Sequence, residues 1–147
     1  MITFSSTIHI ARSPEAVFEF LANVHTIQQA GGSPVLALDM TTSGAPRLGS
    51  KYREVVQMLP FYKGVFLSEI AAFEPSRLLE LTWTGPGMTG RDRYEITKTK
   101  DGTSLNHTKC LTCTGLLKIM EPLMSKPLFP RLEARLAEIK RRLEEDK

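Results

Sequence analysis

Five apolar positions near the C-terminus, Leu128, Leu132, Leu136, Ile139 and Leu143, recur at spacings of 4, 4, 3 and 4. That period places them on one stripe of an α-helix. Arg131, Glu133, Arg135, Glu138, Lys140, Arg141 and Arg142 fill the rest of its circumference. Upstream, Leu116, Leu117, Met120, Leu123 and Met124 form a more apolar segment, interrupted by Pro122, Pro127 and Pro130. A proline inside a helix removes a hydrogen bond and crowds the preceding turn. The pattern over 115–147 therefore predicts a kinked or broken first half and a regular second half, ending about four residues before Lys147.

Elsewhere the period is mostly two. Ile2, Phe4, Ser6, Ile8 and Ile10 alternate with Thr3, Ser5, Thr7 and His9, which predicts a half-buried first strand. Ser13 then caps a short helix, with Pro14 at its first position and Glu15 near its positive end. Val17, Phe18 and Leu21 are its buried face, and Asn23-Val24-His25 stops it. A second short helix is expected over 26–30, ended by Gly31-Gly32. Strands follow over 35–42, 51–59, 62–73, 78–84, 89–99 and 103–113. Short turns separate the last five of them. Asp101-Gly102 between alternating runs is a tight-hairpin signal, because glycine supplies the positive φ of the turn. The order predicts an α+β domain over 1–147: a curved antiparallel sheet of about seven strands receiving the long helix, with two short helices after the first strand.

Composition narrows the class of function. Apolar content of 41% and charged content of 24% are ordinary for a globular chain of 147 residues. No apolar run reaches the roughly 18 residues of a membrane span. The first residues lack a basic region followed by an apolar one, so no secretory signal is read and the expected compartment is the cytoplasm. The net charge is only +3, and the basic residues of the last helix alternate with Glu138, Glu144 and Glu145. That reads as a solvated helix face and excludes a nucleic-acid patch.

Three stretches carry a resemblance to a known family: Ile8-His9-Ile10-Ala11-Arg12-Ser13-Pro14-Glu15-Ala16-Val17-Phe18-Glu19-Phe20-Leu21; Leu48-Gly49-Ser50-Lys51-Tyr52 with Phe73-Glu74-Pro75-Ser76-Arg77-Leu78; and Asp101-Gly102-Thr103-Ser104-Leu105 leading into the helix that ends Leu132 to Glu144. The chain resembles the START-like (SRPBCC) superfamily with the helix-grip fold, in its polyketide cyclase/dehydrase and lipid-transport branch. The likeness rests on the order of elements across the whole chain. Members often carry a tryptophan-proline pair after the second short helix, whereas this chain has Gln28-Gln29-Ala30-Gly31-Gly32. The resemblance implies a cavity between sheet and helix for an apolar or amphipathic small molecule, and in some members cyclisation or dehydration there.

Candidate chemistry comes from polar residues on inward strand faces. Glu54 shares a face with Tyr52, Val56 and Met58. An inward carboxylate is a site candidate, because burying it unpaired costs several kcal/mol or raises its pKa. Tyr94 shares a face with Asp92 and Ile96, and its hydroxyl can meet a ligand carbonyl or one backbone group. His107 lies in line with Leu105, Lys109, Leu111 and Cys113. It is a candidate proton shuttle or a satisfied core histidine. Trp83 shares a face with Leu79 and Leu81, and Met120 and Met124 are candidate walls of an adaptable pocket or plain core. Cys110 and Cys113 spell C-x-x-C, but on a strand they point to opposite faces and a structural zinc site needs four ligands. No metal or cofactor is expected.

The leading expectation is binding of a small hydrophobic or amphipathic ligand at Tyr52, Glu54, Trp83, Tyr94, His107, Met120 and Met124. One alternative is an enzyme of the cyclase or dehydratase kind, with Glu54 or His107 as acid/base and Tyr94 stabilising an enolate. Another is an interaction module with a filled core. The expected partner is the small ligand, with a homodimer left open and no nucleic acid or integral membrane association.

Overall fold

The computed structural model of the protein describes residues 1–23 and 35–145, the side chains at 59, 124 and 125 excepted. The second short helix expected over 26–30 lies outside these residues. The described elements are β1 (Ile2–Ile10), α1 (Pro14–Ala22), β2 (Val35–Met40), β3 (Lys51–Leu59), β4 (Tyr62–Glu74), β5 (Leu78–Gly85), β6 (Met88–Thr99), β7 (Gly102–Cys113) and α2 (Leu117–Glu145).

The strands form one antiparallel sheet in the order β1-β7-β6-β5-β4-β3-β2. The meander from β2 to β7 follows from its short turns. The pairing of β1 with β7 is the long-range step, running from Ile2 opposite Leu111 to Ile10 opposite Thr103. Irregular register between Ile70 and Ala72 lets the 13-residue β4 bend. Gly102 is required where β7 begins, since a Cβ there would meet the carbonyl oxygen of Ile10 at 2.3 Å.

α1 begins as its sequence dictates: the Ser13 hydroxyl accepts a hydrogen bond from the Ala16 amide at 3.2 Å, and Pro14 opens the first turn. α2 runs unbroken through Pro122, Pro127 and Pro130, contrary to the expected break. All three prolines lie on exposed positions. The carbonyls they release belong to exposed Lys118, Leu123 and Lys126, where water can take over the lost hydrogen bonds. This is a helix-grip arrangement, with one long helix lying along a curved sheet.

The interior holds two apolar layers. One gathers Ile10, Val17, Phe18, Leu21, Ile70, Leu79, Leu81, Tyr94, Ile96 and Leu105 around Leu136, Ile139 and Leu143 of α2. The other gathers Ile2, Phe66, Met88, Leu111 and Cys113 against Leu117, Leu128 and Phe129. The far end of α2 is also held by polar contacts: Lys140 Nζ donates to the His9 carbonyl at 2.6 Å, and the Ala11 amide donates to Glu144 at 2.9 Å. At the near end Glu121 takes the Cys113 amide at 3.0 Å and pairs with the terminal amino group of Met1.

The two faces of α2 are thereby distinguished. Ile139→Ala removes a fully buried side chain and is expected to lower the unfolding free energy by about 2–5 kcal/mol in urea denaturation. Ile119→Ser, on an exposed position, is expected to change it by no more than about 0.5 kcal/mol. Losses of equal size would contradict this assignment of faces.

Candidate functional site

Between the two apolar layers runs a polar band. On β3 Glu54 stands between Tyr52 and Val56, and on β4 Ser68 stands between Ile70 and Phe66. On β6 Asp92 lies between Met88 and Tyr94, and on β7 His107 and Lys109 lie between Leu105 and Leu111. Period-two alternation points all of these residues to the concave face. Register then brings them together: Tyr52 is opposite Ser68, Ser68 opposite Trp83, Asp92 opposite Lys109, and Tyr94 opposite His107. Arg135 approaches from α2 and acts electrostatically on Glu54, Asp92 and Tyr94.

Asp92 is the centre of the band. His107 Nε2 donates to its Oδ1 at 2.7 Å, and Trp83 Nε1 donates to its Oδ2 at 3.2 Å. Lys109 Nζ lies 3.2 Å from Oδ2 and 3.3 Å from Oδ1. Burial alone would push this carboxyl up. The Lys109 ammonium, the His107 hydrogen bond and the Arg135 charge outweigh burial and hold it well below the usual carboxylate range. An ionised carboxylate only accepts hydrogen bonds, so the His107 proton that faces it sits on Nε2. Its other ring nitrogen, Nδ1, is buried and has no hydrogen-bond partner. The ring is wedged between Tyr94, stacked at 4.5 Å, and the edge of Phe4 at 5.9 Å. Lys109 also stands over the Trp83 ring, 5.1 Å from its centroid. Gly90 makes room for that indole, since a Cβ there would meet Trp83 at 2.4 Å.

Glu54 behaves oppositely. Burial raises its pKa, and the nearby Asp92 charge adds to the rise against the opposing Lys109 and Arg135. Ser68 sits near enough to favour the ionised form, yet its hydroxyl makes no full hydrogen bond. Burial also keeps the Tyr52 and Tyr94 hydroxyls protonated, with Asp92 reinforcing the effect at Tyr94. Among the described residues, the buried polar side-chain atoms left without a partner are Tyr52 Oη, Ser68 Oγ and His107 Nδ1. All three belong to inward residues in or beside the band.

The candidates named from sequence therefore separate. Tyr52, Glu54, Trp83, Tyr94 and His107 lie on the concave face. Met120 does not join them: it is 51% exposed, on the side of α2 turned away from the sheet. The Met124 side chain lies outside the described residues. Sequence reasoning missed Ser68, Lys109 and Arg135 as site members and gave Asp92 no role. The Asp101-Gly102 signal located the hairpin between β6 and β7 but not its register. The turn residues are in fact Lys100-Asp101, with Thr99 opposite Gly102, one position earlier than the expected Asp101-Gly102. Counting outward from the expected pair keeps each residue on its face but sets Asp92 opposite Leu111, whereas the structure sets Asp92 opposite Lys109 and Tyr94 opposite His107. Cys110 and Cys113 lie on opposite faces of β7, the former partly exposed and the latter buried.

A groove of about 700 Å³ crosses the other, outward face of the sheet, lined among others by Leu67, Thr82, Thr84, Arg91 and Thr112. Tyr52, Ser68 and Trp83 also border it, but its outward-facing polar groups are largely exposed, so the band in the grip remains the site where burial gives polar groups unusual properties. No helix among the described residues is long and apolar enough to cross a membrane.

Comparison with known proteins agrees with the fold. A family model described as polyketide cyclase / dehydrase and lipid transport matches residues 1–144. No curated protein matches the chain. Among solved structures, a conserved protein from Geobacillus kaustophilus is similar with a TM-score of 0.78 at 14% identity, covering 98% of this chain and 96% of that one. A Thermus thermophilus protein reaches 0.74 at 15% identity, with 97% of each chain covered. A Rhizobium loti protein reaches 0.67 at 18% identity, covering 93% of this chain and 96% of that one. At these identities the likeness speaks for the fold alone.

The opposite shifts at Asp92 and Glu54 give opposite pH dependences. Asp92 ionises more readily folded than unfolded, so its contribution is present above its ordinary value of 3.8 and is lost as pH falls below it. Glu54 holds its proton more tightly when folded, so stability falls as pH rises from its ordinary value of 4.5 through the raised one. Urea denaturation across this range is expected to show Glu54→Gln removing the loss on the alkaline side. Asp92→Ala, which strands Lys109 and His107, should cost about 3–5 kcal/mol at neutral pH. Adding Lys109→Met is expected to recover part of that.

Proposed function

The chain belongs to the polyketide cyclase/dehydrase and lipid-transport family, and on that premise we propose that its interior binds a small amphipathic molecule under α2. The apolar body of the ligand would lie against Val56, Met58, Phe66, Trp83 and Phe129. Its polar group would meet Tyr52 and Ser68, beside Glu54. The observation that carries this reading is the set of buried polar atoms without partners in a band bounded by apolar layers. Each such atom costs about 1–3 kcal/mol if left unmade. Folded proteins seldom tolerate several together unless a ligand or ordered water completes them. Affinity would come from apolar burial at about 25 cal/mol per Å², and orientation from the few polar groups.

A second reading draws on the Asp92–His107 pair. Asp92 orients the imidazole and leaves Nδ1 as a base inside a partly apolar site, the arrangement that general-base catalysis needs. In an enzyme of the cyclase or dehydratase kind, Nδ1 would take a proton from a carbon beside the ligand carbonyl and return it to the product. This reading requires a ligand atom within hydrogen-bond reach of Nδ1.

Native mass spectrometry of the purified protein, followed by extraction of any passenger, tests the binding reading. A stoichiometric amphipathic passenger is the expected result. Titration with a fluorescent fatty-acid analogue should then show Tyr52→Phe and Ser68→Ala each weakening binding by roughly three- to tenfold. An empty protein that also binds neither this analogue nor aromatic probes would overturn the reading. His107→Gln is expected to abolish turnover of an extracted carbonyl compound if the second reading holds, with its binding retained.

A further inference from the structure

The two halves of α2 differ on their outward face. In the second half that face is charged and laced with ion pairs, Arg141 bonding Glu138 and Glu145, and Arg142 bonding Glu138. In the first half it is mostly apolar, with Lys118 and Lys126 beside it. Leu116 is 85% exposed, Ile119 78% and Leu123 71%, and their spacing puts them with Met120 on one stripe. Soluble proteins rarely leave such a contiguous apolar face without a use.

The stripe does not stand alone. The Thr114 amide bonds the Gly87 carbonyl at 2.8 Å, tying the start of α2 to the β5–β6 turn. A Cβ on Gly64 would lie 3.3 Å from Pro86, so the β3–β4 hairpin adjoins the same turn. At the tip of that hairpin Phe61 is 90% exposed. Three connections thus bring exposed apolar groups to one end of the molecule. Lys63, Lys118 and Lys126 are exposed there. Among the described residues of α2's first half the one acid is Glu121, and it is held inward by the Met1 amino group and the Cys113 amide.

We propose that this end docks on an anionic lipid bilayer, with Phe61, Leu116, Ile119 and Leu123 entering the boundary between headgroups and acyl chains and the three lysines pairing with lipid phosphates. Apolar insertion combined with flanking lysines is the chemistry of interfacial binding. A second copy of the chain fits less well. A two-fold contact centred on the stripe sets the lysines of one copy near those of the other, with no free acid to meet them. The inference stands on the outer surface and does not depend on what the interior binds.

Flotation with vesicles of phosphatidylcholine, with and without phosphatidylglycerol, tests it. The protein is expected to float with the anionic vesicles, less so as salt is raised, and weakly with phosphatidylcholine alone. Ile119→Ser combined with Leu123→Ser should reduce partitioning roughly tenfold or more. Lys118→Glu or Lys126→Glu should each reduce it by roughly fivefold or more. Circular dichroism melts of these variants should match the parent, since none of the side chains is buried. Three results would overturn the proposal: no partitioning onto anionic vesicles, partitioning that ignores all four substitutions, or a lipid-free dimer in sedimentation velocity that the apolar substitutions dissolve.

Discussion

The site is organised by one buried carboxylate. Asp92 enters an interior that would by itself keep it protonated, and it stays ionised because β5 and β7 deliver an indole N–H, an imidazole N–H and an ammonium to its oxygens. Those contacts orient Trp83, fix the tautomer of His107 and give Lys109 a reason to point inward. Every one of them depends on correct register between neighbouring strands. A slip of one residue would carry Asp92 to the solvent face and strand the other three.

The same arithmetic explains why the interior is layered. β3, β4, β6 and β7 each carry polar residues flanked by apolar ones on the concave face, β5 contributes Leu79, Leu81 and the Trp83 indole, and antiparallel pairing aligns the polar members into a band. α2 closes the grip with an apolar stripe above and below and with Arg135 at the level of the band. The upper layer is built with α1. Polar atoms left without partners are confined to the band and its edge, where a ligand's polar group has something to bind. The apolar rows and the polar band thus occupy different levels of the same sheet.

Much of this was legible in the chain. Period two located the strands, and Ser13-Pro14 located the start of α1. The stripe from Leu128 to Leu143 located the buried side of α2. On β6 the face of Arg91, Arg93 and Glu95 reads as outward, as the structure has it. The break expected at the prolines is absent, because the carbonyls they release belong to exposed residues where water can bond them. Met120 misled because an apolar residue on an amphipathic helix reads as inward by default, and this segment is apolar on its outer side too.

The sequence by itself determined element order, the alternation of faces and the presence of a hairpin between β6 and β7, since each follows from periodicity or from contacts between near neighbours. Only the tertiary structure decided that β1 closes on β7, that Arg135 reaches the carboxylates of the sheet, and that Glu54 is raised by burial while Asp92 is lowered by its partners in spite of burial. Those outcomes depend on charges and dielectric surroundings brought together from distant parts of the chain. Two carboxylates on similar inward strand positions look alike in sequence. They differ in the fold because Asp92 is met by donors from both neighbouring strands, whereas burial dominates at Glu54.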